Sequence, residues 1–266
     1  MWFRGFRHFV RPPEEVYRDP ALDFMDGYRT YGEYNYLRPG LVSRIKSAHF
    51  EKALDLTRDH FGACRVIDFG CADGFFLPSL ASHFEAVLAI DRVPMFAEVA
   101  RRVVSEGGLT NVEVICNEGL DTAALRERIG GVGSPRPRIA FCLEVIEHVG
   151  DPGDLYGAKI RLLRDVFSLL EDDGRIVISV PTMVGLPFLL QRAALASLGI
   201  WREPMSWRSL LRASFLKDTS ELEPHWDGGH LGFNHLRLEE AMSDVFSVEK
   251  RTNLGFQVLY VIGPRR

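Results

Sequence analysis

Cysteine is scarce in this 266-residue chain, and no apolar run is long and unbroken enough to read as a membrane span. Cys64, Cys71, Cys116 and Cys142 include no C-x-x-C pair, which excludes a zinc ribbon and a thioredoxin-type centre. Cys64, Cys116 and Cys142 lie among apolar neighbours and read as small buried hydrophobes, which fits a reducing compartment. The N-terminal stretch lacks a continuous apolar core ahead of a small-residue cleavage site. No secretory leader is expected, and the cytoplasm is the expected location. Positive charge is not in excess either: 32 Lys and Arg stand against 36 Asp and Glu, a net charge of −4. A chain-wide basic footprint is therefore missing, and nucleic acid is not an expected partner. Internal repeats and low-complexity tracts are also absent.

What is present is ordinary for a folded protein. Hydrophobic residues make up 46% and charged residues 26%, which excludes disorder and fibre. A chain of this length buries roughly three quarters of its unfolded surface, so it needs no disulfide or metal staple. Residues 1–40 form an aromatic, turn-rich cap. In it Trp2, Phe3, Phe6, Phe9 and Val10 recur at helical spacing with Arg4, Arg7, His8 and Arg11 between them. Such a helix could lie on a membrane surface or pack on its own domain. Pro12-Pro13 ends it. Tyr28, Tyr31, Tyr34 and Tyr36 then read as an ordered aromatic loop.

From residue 41 helices and strands alternate. The spacing predicts helices over 41–61, 75–84, 94–106, 122–129, 155–170 and 236–245. It predicts strands over 65–69, 86–90, 112–116, 139–143, 175–180, 247–251 and 255–262. Short apolar strands at βα spacing imply a parallel sheet covered on both faces. The last two strands are too close in sequence for a parallel crossover and must be antiparallel. Residues 183–217 interrupt the order. They hold Arg192, Arg202, Arg208, Arg212 and Lys217 against Glu203, a segment of +4 among many apolar residues. A helical insertion near 183–230 is expected. It serves as a substrate lid, an interfacial patch for a lipid-like substrate, or a dimer contact.

The first strand runs into Asp68-Phe69-Gly70-Cys71-Ala72-Asp73-Gly74. Gly70 and Gly74 let backbone approach a ligand closely, and a helix begins just beyond. Asp91 ends the second strand, where an acid bonds ribose hydroxyls in doubly wound folds. A dinucleotide fingerprint starting at Gly70 would need glycine at 72 and 75, but Ala72 and Phe75 stand there. Asp73 is also poor company for a pyrophosphate. A nucleoside whose far end carries positive charge fits better.

These residues resemble the first motif of the class I S-adenosylmethionine-dependent methyltransferases. The resemblance continues through Asp91, through Asn117-Glu118-Gly119, and through Phe141 to Val149, which is similar to that family's E-V-x-E-H-V segment. It covers residues 41–182 and 232–263. It implies a Rossmann-like methyltransferase fold: α/β, doubly wound, with a seven-stranded mostly parallel sheet and an antiparallel last strand. It implies S-adenosylmethionine as cofactor. Gly70, Cys71, Ala72 and Gly74 would line the methionine part, and Asp68 would lie beneath the loop. Asp91 would hold the ribose, Arg92 the adenine flank, Glu118 or Gly119 the adenine edge, and Leu143 and Glu144 the region of the sulfonium.

Glu144, Glu147 and His148 are spaced i, i+3 and i+4, which on a helix is one face. Two carboxylates and an imidazole there could hold a divalent metal or orient a hydroxyl. The segment resembles the E-x-x-E-H of ubiquinone-pathway O-methyltransferases and small-RNA 2′-O-methyltransferases, where it binds a divalent metal. Many relatives carry it without one. A metal site of Glu144, Glu147 and His148, a general base at His148 and a structural role all stay open. His225, His230 and His235 recur every five residues in a loop. By the resemblance His230, just before the last helix, is the second candidate for the reacting end.

The expected activity is methyl transfer to an oxygen of a small-molecule acceptor (a sugar, a lipid-like compound or another metabolite). Peripheral membrane contact is open, and so is the oligomeric state. The rival readings are a non-catalytic subunit keeping the methyltransferase fold and a nicotinamide-dependent oxidoreductase.

Overall fold

Short strands apolar on both faces begin the regular part of the chain, and their burial shows why. β1 (Arg65–Phe69) and β2 (Ala86–Asp91) are buried along nearly their whole length. In a computed structural model of the protein the described residues are 6–25, 27–37, 40–119, 121–129, 135–151, 153–197 and 205–265. Trp2, Phe3 and Arg4 of the expected N-terminal helix lie outside them. So do residues 130–134, and Leu198, Ile200, Trp201, Arg202 and Glu203 of the insertion.

The helices, in chain order, are α1 (Tyr31–Tyr36), α2 (Leu41–Thr57), α3 (Leu77–His83), α4 (Pro94–Glu106), α5 (Thr122–Ile129), α6 (Leu155–Phe167), α7 (Gly185–Ser197), α8 (Trp207–Leu211) and α9 (His235–Ser243). The remaining strands are β3 (Val112–Cys116), β4 (Ile139–Leu143), β5 (Arg175–Pro181), β6 (Phe246–Asn253) and β7 (Gln257–Pro264). They follow the order β3-β2-β1-β4-β5-β7-β6 in one seven-stranded sheet. β1 pairs parallel with β2 and with β4, and β2 pairs parallel with β3. β6 and β7 pair antiparallel, with a bulge between Val248 and Lys250. The expected doubly wound, mostly parallel sheet with an antiparallel end is the one observed.

The chain divides into two compact units, residues 1–143 with 166–177 and residues 144–165 with 178–266. In the first, the helical expectation for residues 6–11 is corrected: no helix forms there. The backbone N–H groups of Arg7, His8 and Phe9 donate to the Glu51 carboxylate at 2.9, 3.0 and 2.8 Å, and Val10 N–H donates to Ser79 Oγ at 2.8 Å. A helix would turn those donors inward on itself, so the carboxylate on α2 holds the segment open instead. Phe9 stacks on both Phe50 and Phe75, with ring centroids 5.4 and 5.9 Å away.

The tyrosine loop is also corrected, because part of it is α1. Thr30 caps this helix, its Oγ1 accepting from Glu33 N–H at 3.1 Å, while Glu33 accepts from Arg29 N–H at 2.7 Å. Aromatic contacts of Phe24 and Tyr31 with Phe96 tie this region to α4.

In the second unit α7 and α8 form the helical insertion. α8 continues as a wider π-helical turn over Arg212–Leu216 and ends at Lys217, whose φ of 57° lies in the left-handed region. Among the described residues no helix is long and apolar enough to cross a membrane.

Candidate functional site

In the first unit the glycine bend forms where β1 ends. Gly70 has φ 77° and Ala72 φ 47°. A positive φ strains a residue that has a Cβ, so Ala72 holds its place only because the surroundings fix it. Asp91 supplies that fixing. Its Oδ2 accepts from Ala72 N–H at 2.8 Å and its Oδ1 from Val93 N–H at 2.9 Å. Gly70 N–H and Cys71 N–H donate to the carbonyl of Ile90 at 2.7 and 3.1 Å. Gly74 has φ 80°, and a Cβ there would stand 3.0 Å from the backbone of Ala100 in α4. Glycine is thus required for both conformation and close packing.

Asp68 is buried beneath this bend, and its Oδ2 has no hydrogen-bond partner among the described residues. Burial, then the charge of Asp91, pushes the Asp68 carboxyl up to about 7. The carboxylate that bonds the loop N–H groups is therefore Asp91, and Asp68 keeps an unused acceptor. Asn117, after β3, donates from its backbone to Asp91 O at 2.8 Å, so the tips of β2 and β3 adjoin. Arg92, Glu118 and Gly119 are exposed beside those tips, and Leu143 is buried at the end of β4.

Asp73 was not expected to hold the cap, yet it does. Its Oδ2 accepts from Gly32 N–H in α1, and its backbone carbonyl accepts from Tyr17 Oη at 3.3 Å. A Cβ on Gly32 would meet the Tyr17 ring at 2.8 Å and Asp73 Oδ2 at 3.1 Å. Burial pushes the Asp73 carboxyl up to about 7 as well.

In the second unit a single 3-10 turn, Ile146–His148, follows β4. Glu144 precedes it at φ 57° and so does not share a helical face with Glu147 and His148. Its N–H donates to Ser179 O at 3.0 Å, and Ser179 Oγ donates to Glu144 Oε1 at 2.9 Å. Burial, then repulsion from Glu147, pushes Glu144 up to about 8.

Glu147 is fully buried, and neither carboxylate oxygen has a hydrogen-bond partner among the described residues. His148 Nε2 and His230 Nε2 each stand 3.8 Å from its Oε1. One ligand atom from each of Glu147, His148 and His230 lies within 4.8 Å of the other two. The cluster thus takes His230 from the distant loop in place of Glu144. His148 Nδ1 lies 2.7 Å from the carbonyl of Gly228, which only accepts, so Nδ1 carries a proton and in the neutral ring the lone pair is on Nε2, 3.8 Å from Glu147. Burial pushes Glu147 up to about 8.

Lys159 on α6, not singled out from the sequence, supports the turn from within. Its Nζ donates to the carbonyls of Ile146 at 2.9 Å and Glu147 at 3.2 Å, and to that of Val149. Trp226 Nε1 also donates to Glu147 O, at 3.2 Å. Of the remaining loop histidines, His225 is exposed. His235 is buried, and burial pulls it down to about 4, so it is neutral. A second acidic group, His8, Glu51 and Asp55, lies in the first unit. Its Glu51 is already taken by three backbone donors.

A family described as a methyltransferase domain matches residues 34–221. A ubiquinone biosynthesis O-methyltransferase of Xanthomonas euvesicatoria is 31% identical over 134 residues, 50% of this chain and 50% of that protein. The chain spans about half the length of the curated relatives it matches, 50% and 43% for two of them. A crystal structure of a SAM dependent methyltransferase from Aquifex aeolicus aligns at a TM-score of 0.52 with 15% identity, covering 84% of this chain and 98% of that one. Magnesium protoporphyrin IX methyltransferase from Synechocystis aligns at 0.52 with 13% identity over 86% and 89% of the two chains. At such identities the structural likeness shows the fold.

Proposed function

The chain belongs to the methyltransferase-domain family, and from that premise we propose that it transfers a methyl group from S-adenosylmethionine to an oxygen of a small-molecule acceptor. The observation that carries the choice of oxygen is Glu147, a fully buried carboxylate with no hydrogen-bond partner among the described residues, facing two imidazole nitrogens. Ionising it in that state costs several kcal/mol unless something compensates the charge. The likeness to ubiquinone biosynthesis O-methyltransferases supports the same acceptor atom.

When bound, S-adenosylmethionine supplies a methyl carbon activated by a positive sulfur. The chain's task is to bind and orient it, since positioning provides much of the acceleration of an in-line displacement. Asp68 Oδ2, without a partner, accepts from the methionine ammonium. Each oxygen of Asp91 holds one backbone N–H and keeps a lone pair for a ribose hydroxyl. Gly70, Cys71, Ala72 and Gly74 carry the methionine portion, Arg92, Glu118 and Gly119 the adenine, and Leu143 and Glu144 the neighbourhood of the sulfur.

The donor set of Glu147, His148 and His230, one carboxylate and two imidazoles, suits a divalent transition ion. These three residues would hold it, and it would lower the pKa of an acceptor hydroxyl. Without an ion, His148 Nε2, whose ring is oriented by Gly228, is instead the atom able to take the hydroxyl proton, with His230 beside it. The new C–O bond forms as the C–S bond breaks, and the electron pair stays on sulfur. The free Cys64, Cys71, Cys116 and Cys142 are consistent with a cytoplasmic setting.

Calorimetry with S-adenosylhomocysteine tests the cofactor, and mass analysis of hydroxylated metabolites incubated with protein and methyl donor tests the acceptor. Saturable heat and products one methyl heavier are expected. Folded protein that gives no heat at millimolar ligand overturns the reading.

A further inference from the structure

We propose that the outward face of α7, α8 and the turn that follows is a docking surface for an anionic lipid bilayer. The described residues expose eight large apolar side chains, and six of them lie here: Leu186, Leu190, Trp207, Leu211, Phe215 and Leu216. Trp207 is 67% exposed and Leu216 71%. The pattern is regular. Trp207, Leu211 and Phe215 recur every four residues and form one helical stripe. Leu210, Ala213 and Ser214, on the opposite side, are buried. This element therefore has an apolar inner face that packs and an apolar outer face that water meets. In α7, Leu186 and Leu190 repeat the arrangement at i and i+4, while Phe188 and Arg192 point inward. Contiguous exposed apolar surface of this kind marks an interaction site.

Charge selects the occupant. Arg208, whose side chain is 78% exposed and makes only a long, solvent-facing pair with Glu221 at 3.6 Å, and the exposed Lys217 flank the stripe. Arg212 is held by Asp218 and Glu221 and stays part of the fold. The segment 183–217 is cationic in a chain that is net acidic. Tryptophan, phenylalanine and leucine beside arginine and lysine are the composition that seats a helix in the headgroup region of an anionic membrane. A symmetric contact with a second copy would bring Arg208 and Lys217 toward their own counterparts, which opposes self-association. The surface holds the protein on the bilayer without spanning it. It does not depend on the methyl-transfer reading, and the test uses no cofactor.

The test is cosedimentation of the full chain with vesicles of phosphatidylcholine alone and of phosphatidylcholine with phosphatidylglycerol, at low and high salt. Binding to the anionic vesicles is expected to exceed binding to neutral ones by roughly tenfold or more, because each cation near such a surface contributes on the order of fivefold. Salt should weaken it. The double variant Trp207→Ser, Phe215→Ser should lose binding to both vesicle types. Arg208→Glu with Lys217→Glu should lose only the anionic preference. All four positions are on the surface, so circular dichroism should be unchanged. Wild-type protein that stays in the supernatant with both vesicle types overturns the proposal. So does a dimer in light scattering that the apolar double variant dissociates while vesicle binding is absent.

Discussion

The buried ammonium of Lys159 donates to the backbone carbonyl of Glu147 at 3.2 Å, so one internal amine holds the turn that presents one internal carboxyl group. Lys159 also lies over the rings of Trp226 and Phe233, at 5.1 and 5.4 Å. Burial pulls its pKa down to about 8, against a raising influence from Glu147. Replacing it with methionine takes one donor from each of three carbonyls, of which Glu147 O keeps Trp226 Nε1 and Ile146 O keeps Val149 N–H, and removes a cation that interacts with Glu147. Lys159→Met is expected to cost about 3 kcal/mol in urea denaturation, the range for breaking a buried charged network. Lys159→Arg, which keeps the charge, should cost less. Equal stability of Lys159→Met and wild type would remove Lys159 from its supporting role.

The three-residue cluster makes a selective prediction about metal. In calorimetry with Zn²⁺ or Mn²⁺, Glu147→Gln and His230→Ala should each weaken binding by more than about tenfold. Glu144→Gln should change it by less, because Glu144 is tied to Ser179. Ion binding requires deprotonated ligands, and Glu147 is pushed up to about 8, so affinity should climb as pH approaches that value. Equal losses at 144 and 147 would return Glu144 to the ligand set.

Asp68 and Asp73 give the cofactor-free protein a pH slope of predictable sign. Both carboxyls are pushed up to about 7 by burial, from an ordinary value of 3.8. Between those values the folded state binds more protons than the unfolded state. Their contribution to stability is therefore complete below the unfolded pKa and is lost as pH rises through about 7. The melting temperature should fall between about pH 4 and pH 7 and level off above that. Asp68→Asn should flatten part of that slope and raise stability at the upper end, yet weaken S-adenosylhomocysteine binding. A purely structural carboxylate would move both readings together, so a variant that loses stability and affinity in parallel sinks the ammonium-binding role.

The legibility of these features in the sequence follows their range. β1 to β4 and α4 could be read because short apolar runs and a Pro94 start report local geometry, and α4 occupies the bounds expected. α1 escaped because its aromatic residues mask a helix, although Thr30 and Glu33 carry the capping spacing. Glu144 was grouped with Glu147 and His148 by assuming 3.6 residues per turn, where the chain makes only one 3-10 turn. His230 joins the cluster from more than eighty positions away, a distance no local pattern reports. Lys159 left one sign: a lysine four residues after Leu155 and four before Leu163, both buried, falls on the apolar stripe of α6.

Gly32 joins the cap to the bend in a way that permits a sharp test. Its N–H donates to Asp73, and the absence of a side chain lets the Tyr17 ring pass. In Gly32→Ala the new methyl meets that ring at 2.8 Å, inside van der Waals contact, and both the ring and α1 must shift. Overpacking of this kind costs about 1–3 kcal/mol. The sheet strands lie outside the contact, so the loss should be local. Amide exchange is expected to quicken over residues 17–36 and around Asp73, with β1, β2 and β4 still protected. Affinity for S-adenosylhomocysteine should fall in step, because Asp73 lies in the bend between Ala72 and Gly74. The further substitution Tyr17→Leu, which shortens the obstructing side chain, should restore part of the affinity. If the exchange quickens while the affinity stays at the wild-type value, the cap is a cover with no part in shaping the cofactor bend.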